Sequence, residues 1–270
     1  MSDVIAIQEP EFTDRDLEDL RRAKARLQHP GLATRLANAL GGPIEAGFKL
    51  LPRNWNERVN LVTEAALMKG LDFSIRTMGG REPKRPMNLL HKLVVVSSGT
   101  ASGAMGLASL AVELPFSTCV ILRSIADIAR GEGHDLSEVE VRLECLEVLA
   151  LGGKRTEDKA VDSGYWMVRG ALAKSMSDAA SHLTEKGLTK EGGPALVRLV
   201  AVIGSRFSAL ITEEAAAKAI PIVGALSGGT INYLFMDHFQ EMAKGHFVVK
   251  RLEKKYGAGL VRKAYEDLPS

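Results

Sequence analysis

The sequence predicts an all-α protein: a compact helical bundle that contains two glycine-rich, apolar helical segments. Three observations lead to this class. Alternating period-2 patterns, which mark half-buried strands, are scarce. Apolar residues recur instead at i, i+3 and i+4 along nearly the whole chain. Two long runs, Leu93 to Val112 and Ala219 to Met236, carry no charged residue at all.

With 270 residues the chain can bury a sizeable core. Lys and Arg number 35 against 33 Asp and Glu, so the basic excess of a dedicated nucleic-acid binder is missing. An aromatic content of 5% also supplies few stacking platforms for single strands, and no nucleic-acid partner is expected. Cys119 and Cys145 both sit inside apolar helical patterns and read as small buried hydrophobes. The acidic start MSDVIAIQEPEFTDRDLEDL lacks the features of a signal peptide. The expected location is the cytoplasm, or the inner face of the membrane.

The elements follow in order. Thr13 caps a first helix, with Asp16 in the capping-box position and Leu17, Leu20 and Leu27 on the apolar face. Pro30 is expected to open a short second helix, closed by Gly41-Gly42-Pro43. Residues 1–45 form an N-terminal helical arm in this reading, and residues 46–270 the main helical domain. A long helix spans about Asn54 to Met78, with Val59, Val62, Ala66 and Leu71 on one side, and ends at Gly79-Gly80.

From Arg76 to Lys92 the chain holds Arg76, Arg81, Lys84, Arg85 and Lys92 against Glu82 alone, together with Pro83 and Pro86. This is a loop, either a solvated linker or a basic patch beside an anionic membrane. The first charge-free run follows. Gly99, Gly103 and Gly106 lie in it at helical spacing, giving a small-residue face that another helix backbone can approach closely. Its length nears the ~20 residues that span a bilayer. Polar small residues dilute both apolar runs, however, and Pro115 and Pro221 interrupt them, so spanning is not expected.

Pro115 is expected to break the pattern and start the next helix, to about Arg130, with Arg123, Asp127 and Arg130 on one face. Ser137 and Glu140 form a capping box for a helix through Leu151, ended by Gly152-Gly153. Helical patterning resumes from Tyr165 to Leu183 and from Pro194 to Lys218. The second charge-free run carries Gly224, Gly228 and Gly229, then turns amphipathic, and a short helix reaches Pro269.

Four blocks are similar to the signature blocks of the EcsC family. They are LPFSTCVILRSIADIARGEGHDL (Leu114 to Leu136), RLECLEVLALGG (Arg142 to Gly153), GYWMVRGAL (Gly164 to Leu172) and Lys218 to Gly257. The resemblance implies a bacterial helical protein, cytoplasmic or membrane-associated, from a family named after a protein encoded beside an ABC exporter. It brings no agreed activity, hence no catalytic residue. The KAIPIVGA segment also resembles small helical domains attached to bacterial membrane-associated GTPases. The chain has no G-x-x-x-x-G-K-[ST] loop and does not share their nucleotide chemistry.

Several polar groupings remain. Arg123 and Asp127 stand among apolar residues, as a partly buried ion pair or as the floor of a ligand pocket. Glu140, Glu144 and Glu147 share one helix face and are expected to be solvated, pairing with Arg142 and neighbouring bases. The chain lacks the paired Glu-x-x-His steps of a di-metal bundle, and no metal or cofactor is expected. His238 and His246 line the junction where the second apolar run becomes amphipathic.

The leading functional expectation is binding of a hydrophobic or lipid-like ligand, or a peripheral role at a membrane near a transporter. The apolar runs would supply walls around Gly99, Gly103, Gly106, Gly224 and Gly228, while Arg123, Asp127 and His238 orient a head group. An enzyme using Asp127, Glu144 and His238 is the alternative from another class, and a docking protein the third. The sequence leaves the oligomeric state open.

Overall fold

The computed structural model describes residues 11–28, 31–42, 44–77, 110–152, 163–187 and 193–269. Among these residues all regular structure is helical, as expected. The helices are α1 (Asp14–Leu27), α2 (Leu32–Leu40), α3 (Glu45–Phe48), α4 (Trp55–Thr77) and α5 (Leu110–Gly131). They continue as α6 (Val139–Glu147), α7 (Ser163–Lys186), α8 (Pro194–Ala219), α9 (Pro221–Tyr256) and α10 (Ala258–Asp267). One 3-10 turn, Val148–Ala150, prolongs α6.

Helices α8 and α9 form the centre. Pro221 stands in the first turn of α9, where its missing N–H has no intrahelical partner to lose, so it separates the two helices without cost. Phe207 of α8 stacks on Phe235 of α9 at 6.3 Å and meets Phe239 edge-on at 5.5 Å, which fixes an antiparallel pair. Helix α9 then continues unbroken for 36 residues, about 54 Å at 1.5 Å per residue. Helices α1, α2, α5 and α10 all pack against it. Helix α8 is long and apolar enough to cross a membrane, but 56% of its most apolar window is buried inside the fold. Contacts with α2, α3, α4, α7 and α9 account for that burial, the pattern of a core helix.

Several boundaries differ from the sequence reading. Helix α2 starts at Leu32 behind Gly31, not at Pro30, which lies outside the described residues; it does end at Gly41, whose φ of +68° suits glycine. Helix α5 begins at Leu110 and runs through Pro115 rather than starting there. A proline removes one backbone hydrogen bond, and a helix packed as closely as α5 is on α4 tolerates that loss. The capping box at Ser137 and Glu140 does not form: Glu138 is the N-cap and makes no side-chain cap. The Ser137 N–H is taken instead by Asp135 Oδ1 at 2.8 Å. The first charge-free run lies outside the described residues up to Ser109, as do residues 78–92 of the basic stretch.

Helix α1 is fastened to α9 and α10 by buried polar groups. Thr13 caps α1, accepting from the Asp16 N–H at 3.2 Å. The Asp16 carboxylate, though, faces α9, accepting from Tyr256 OH and Lys255 Nζ at 2.7 Å each. Hydrogen bonds from Lys255 and Tyr256 hold its carboxyl well below the usual range. Lys24 is buried and donates to the carbonyls of Tyr265 (3.0 Å) and Leu268 (2.6 Å), capping the end of α10.

Asp16→Asn is expected to lower unfolding free energy at pH 7 by about 2 kcal/mol, the scale of a lost hydrogen-bonded charge. A depressed carboxyl pKa stabilises above the unfolded value and loses that contribution as pH falls through the folded one. The wild type–variant difference in urea unfolding should therefore shrink on acidification below pH 4.

Candidate functional site

Three helical rows of polar side chains converge beside α9. Glu140, Glu144 and Glu147 recur at i, i+4 and i+7 on α6; Tyr165 and Arg169 are one turn apart on α7; His246, Lys250 and Glu253 recur at i, i+4 and i+7 on α9. Packing of α6 on α7, with α9 adjacent, turns these rows toward one another. Between them opens a cleft of about 920 Å³. Leu143, Trp166, Ala173, Met176 and Ala180 form its apolar wall, and Ala258, Gly259 and Arg262 of α10 close one end.

Most of the charges at the cleft are matched. Arg169 clamps Glu253 through two parallel hydrogen bonds of 2.7 and 2.9 Å, the bidentate arrangement that favours arginine. Its guanidinium also lies 5.0 Å from the Trp166 ring centroid. Lys250 Nζ sits 2.7 Å from Glu144 Oε1. Arg262 of the rim pairs with Glu266 at 2.9 Å.

Among the charges of the cleft that are buried or half-buried, Glu147 is the exception. Its side chain lines the cleft while the residue is only 5% exposed, and it accepts no hydrogen bond from any described residue. The nearest partner is His246 Nε2 at 3.7 Å. His246 is fully buried, and burial followed by the charges of Arg169, Lys250 and His134 keeps its pKa well below the usual imidazole range, so it is neutral. The ring's orientation is set from behind. Arg169 donates to the Tyr165 oxygen at 3.4 Å, and the same hydroxyl is hydrogen-bonded to His246 Nδ1 at 3.1 Å. The ring's Nε2 edge therefore faces Glu147, beyond hydrogen-bond distance.

Burial pushes the Glu147 carboxyl up to about 7, against the opposing pull of Arg169 and Lys250 and with the support of Glu144 and Glu253. The arrangement can hold or release one proton near neutrality at a carboxyl group that lines a cleft. It can equally receive a cationic or hydrogen-bond-donating group there.

The residues singled out from sequence fall as follows. Arg123 and Asp127 do pair, at 3.6 Å, but Arg130 is nearer to Asp127 at 3.0 Å. His238 is buried on α9 against Gly152, where an added Cβ would lie 2.5 Å from its Nε2; Gly152 also has φ +76°. None of Arg123, Asp127 and His238 lines the cleft, whereas Glu144 does. Gly224 and Gly228 lie in the first turns of α9, and Gly99, Gly103 and Gly106 lie outside the described residues. The glutamate row is only in part the solvated face expected of it: Glu140 is exposed, but Glu144 and Glu147 are buried, and Glu144 pairs with Lys250 of α9. Arg142 donates to the Ser137 carbonyl at 2.9 Å. Among the described residues no three His, Cys, Asp or Glu side chains are placed to hold a metal ion.

Sequence reasoning passed over Tyr165, Arg169, Lys250 and Glu253. The available signal was the turn-by-turn repetition of polar residues on α7 and α9, which marks a shared face but not what it meets.

The sequence matches the model of the EcsC protein family over residues 14–252, a span that includes α6, α7 and nearly all of α9. No curated protein and no solved structure matches it.

A carboxyl whose pKa rises on folding contributes stability that is complete below the unfolded value, near 4.5, and is lost as pH rises through about 7. Wild-type protein is therefore expected to lose on the order of 3 kcal/mol from this group between pH 4.5 and pH 8. Glu147→Gln should flatten that decline, and chemical unfolding of the two proteins across this range measures it.

Proposed function

The chain belongs to the EcsC protein family, and on that premise we propose that it is a binding protein for a small amphipathic molecule, held in the cleft between α6, α7, α9 and α10. One observation carries the reading. One cleft joins an apolar wall along α7 to a charged floor in which one buried carboxyl group has no hydrogen-bond donor among the described residues. Ligand sites combine these two features, apolar lining for affinity and a few fixed polar groups for orientation. A volume of about 920 Å³ suits a molecule of lipid-chain or drug size.

The division of labour follows from the lining. Leu143, Ala173, Met176 and Ala180 offer apolar surface that an alkyl or ring portion can cover. Gly170 and the alanines keep the α7 wall low, so the chain of a ligand can lie along the helix. The paired charges Arg169–Glu253 and Lys250–Glu144 form a rigid frame around the polar end. Such a frame lowers the ordering cost of binding, because its side chains are already fixed before the ligand arrives. The expected lipid-like ligand from the sequence is thus retained, with its polar end met at Glu147 instead of at Arg123, Asp127 and His238.

The neutral fluorescent probe N-phenyl-1-naphthylamine tests this. It should bind the wild-type protein saturably at one site. Ala180→Trp, which places an indole in the cleft, should weaken binding at least tenfold while leaving the thermal unfolding midpoint nearly unchanged. Absence of saturable binding, or equal binding by the folded variant, would count against the cleft.

A further inference from the structure

We propose that the polar end of the bound molecule is a primary ammonium group, received by the Glu147 carboxylate; this rests on the cleft being the binding site. The charges of the cleft point to that sign. Five carboxylates line it, Glu140, Glu144, Glu147, Glu185 and Glu253, against three cations, Arg169, Lys250 and Arg262. Arg169 is committed to Glu253 by two hydrogen bonds, Lys250 to Glu144, and Arg262 to Glu266 outside the lining. Among the described residues no cation of the cleft is left over for an anionic head group, and an anion entering would meet an excess of carboxylate.

Glu147 has the opposite need. It is 5% exposed, is directed into the cleft, and among the described residues has neither a hydrogen-bond donor nor a charged partner within ion-pair distance. The groups that face it are fixed on every side. Glu144 lies on its own helix; Tyr165 and Arg169 come from α7; His246, Lys250 and Glu253 come from α9. Tyr165 and His246 are neutral and spend their hydrogen bond on each other, while the bases are engaged with other acids. An ammonium group supplies both missing items, a positive charge and N–H donors, and a charge-assisted hydrogen bond forms without rearranging the frame. An alcohol supplies the donor without the charge. A carboxylate supplies neither.

Isothermal titration with three ligands of equal chain length separates these cases: decylamine, decanol and decanoate, below their aggregation thresholds at pH 7.5. The amine should bind at least tenfold more tightly than the alcohol, and decanoate more weakly than either. In Glu147→Gln the amine's advantage over the alcohol should vanish, with decanol affinity retained. The head-group assignment is overturned, with the cleft reading intact, if decanol or decanoate matches decylamine on the wild-type protein. The same holds if the amine's advantage survives in the variant. If none of the three binds the wild-type protein, the assignment falls together with the cleft. The wild-type ratio alone decides should the variant not fold.

Discussion

Everything in this fold depends on a requirement placed on the groove around α9, that the half-buried charges along it find partners on other helices. A charge drawn partly out of water is tolerated best when paired and hydrogen-bonded, and α9 carries such half-buried groups along much of its length. Asp237 meets Arg35 of α2, and Glu241 meets Arg26 of α1. Lys250 meets Glu144 of α6, Glu253 meets Arg169 of α7, and Lys255 meets Asp16 of α1. The Phe247 carbonyl pairs with His134 at 2.9 Å in the loop before α6. The pairs tie α1 (twice), α2, α6 and α7 to one helix, and together they set where those neighbours stand. Apolar contacts such as Phe207 on Phe235 and Phe239 supply the burial, but burial is non-directional. The pairs supply position.

The candidate site is a consequence of the same requirement being met incompletely. On α6, Glu144 finds Lys250 while Glu147, one turn on, finds only a neutral imidazole. A carboxyl in that position resists ionisation, which is why its pKa rises to about 7. The surrounding pairs are well formed, so no neighbour can shift to relieve it at low cost. A rigid frame of paired charges around one unmatched buried group is what the proposed binding site would use, since local deficits in native proteins collect where function requires them.

The helical class was legible because apolar residues recur at helical spacing along the longer helices, and so was the end marked by Gly41, though the short α3 was not. Pro115 misled, because a missing hydrogen bond is decided by packing around the helix and not by the residue alone. At the site, each polar row could be seen on its own helix. Glu140, Glu144 and Glu147 looked solvated because exposed and buried charge rows have the same spacing. Which row faces which is a tertiary fact, fixed by α6 and α7 meeting beside α9, and no spacing within a single helix encodes it. Family resemblance located the segments, including the GYWMVRGAL block that holds Tyr165 and Arg169, yet gave those residues no role.

Glu147 is a buried carboxyl to which no described residue donates a hydrogen bond, and one titration tests this most directly. Side-chain carboxyl ¹³C shifts of the ligand-free protein, assigned through Glu147→Gln, would be followed from pH 3 to pH 9. The account predicts one glutamate titrating near pH 7 that is missing from the variant's spectra. Titration of Glu147 with the ordinary glutamates, near pH 4.5, would contradict it, because a group that ionises so readily already has its partner.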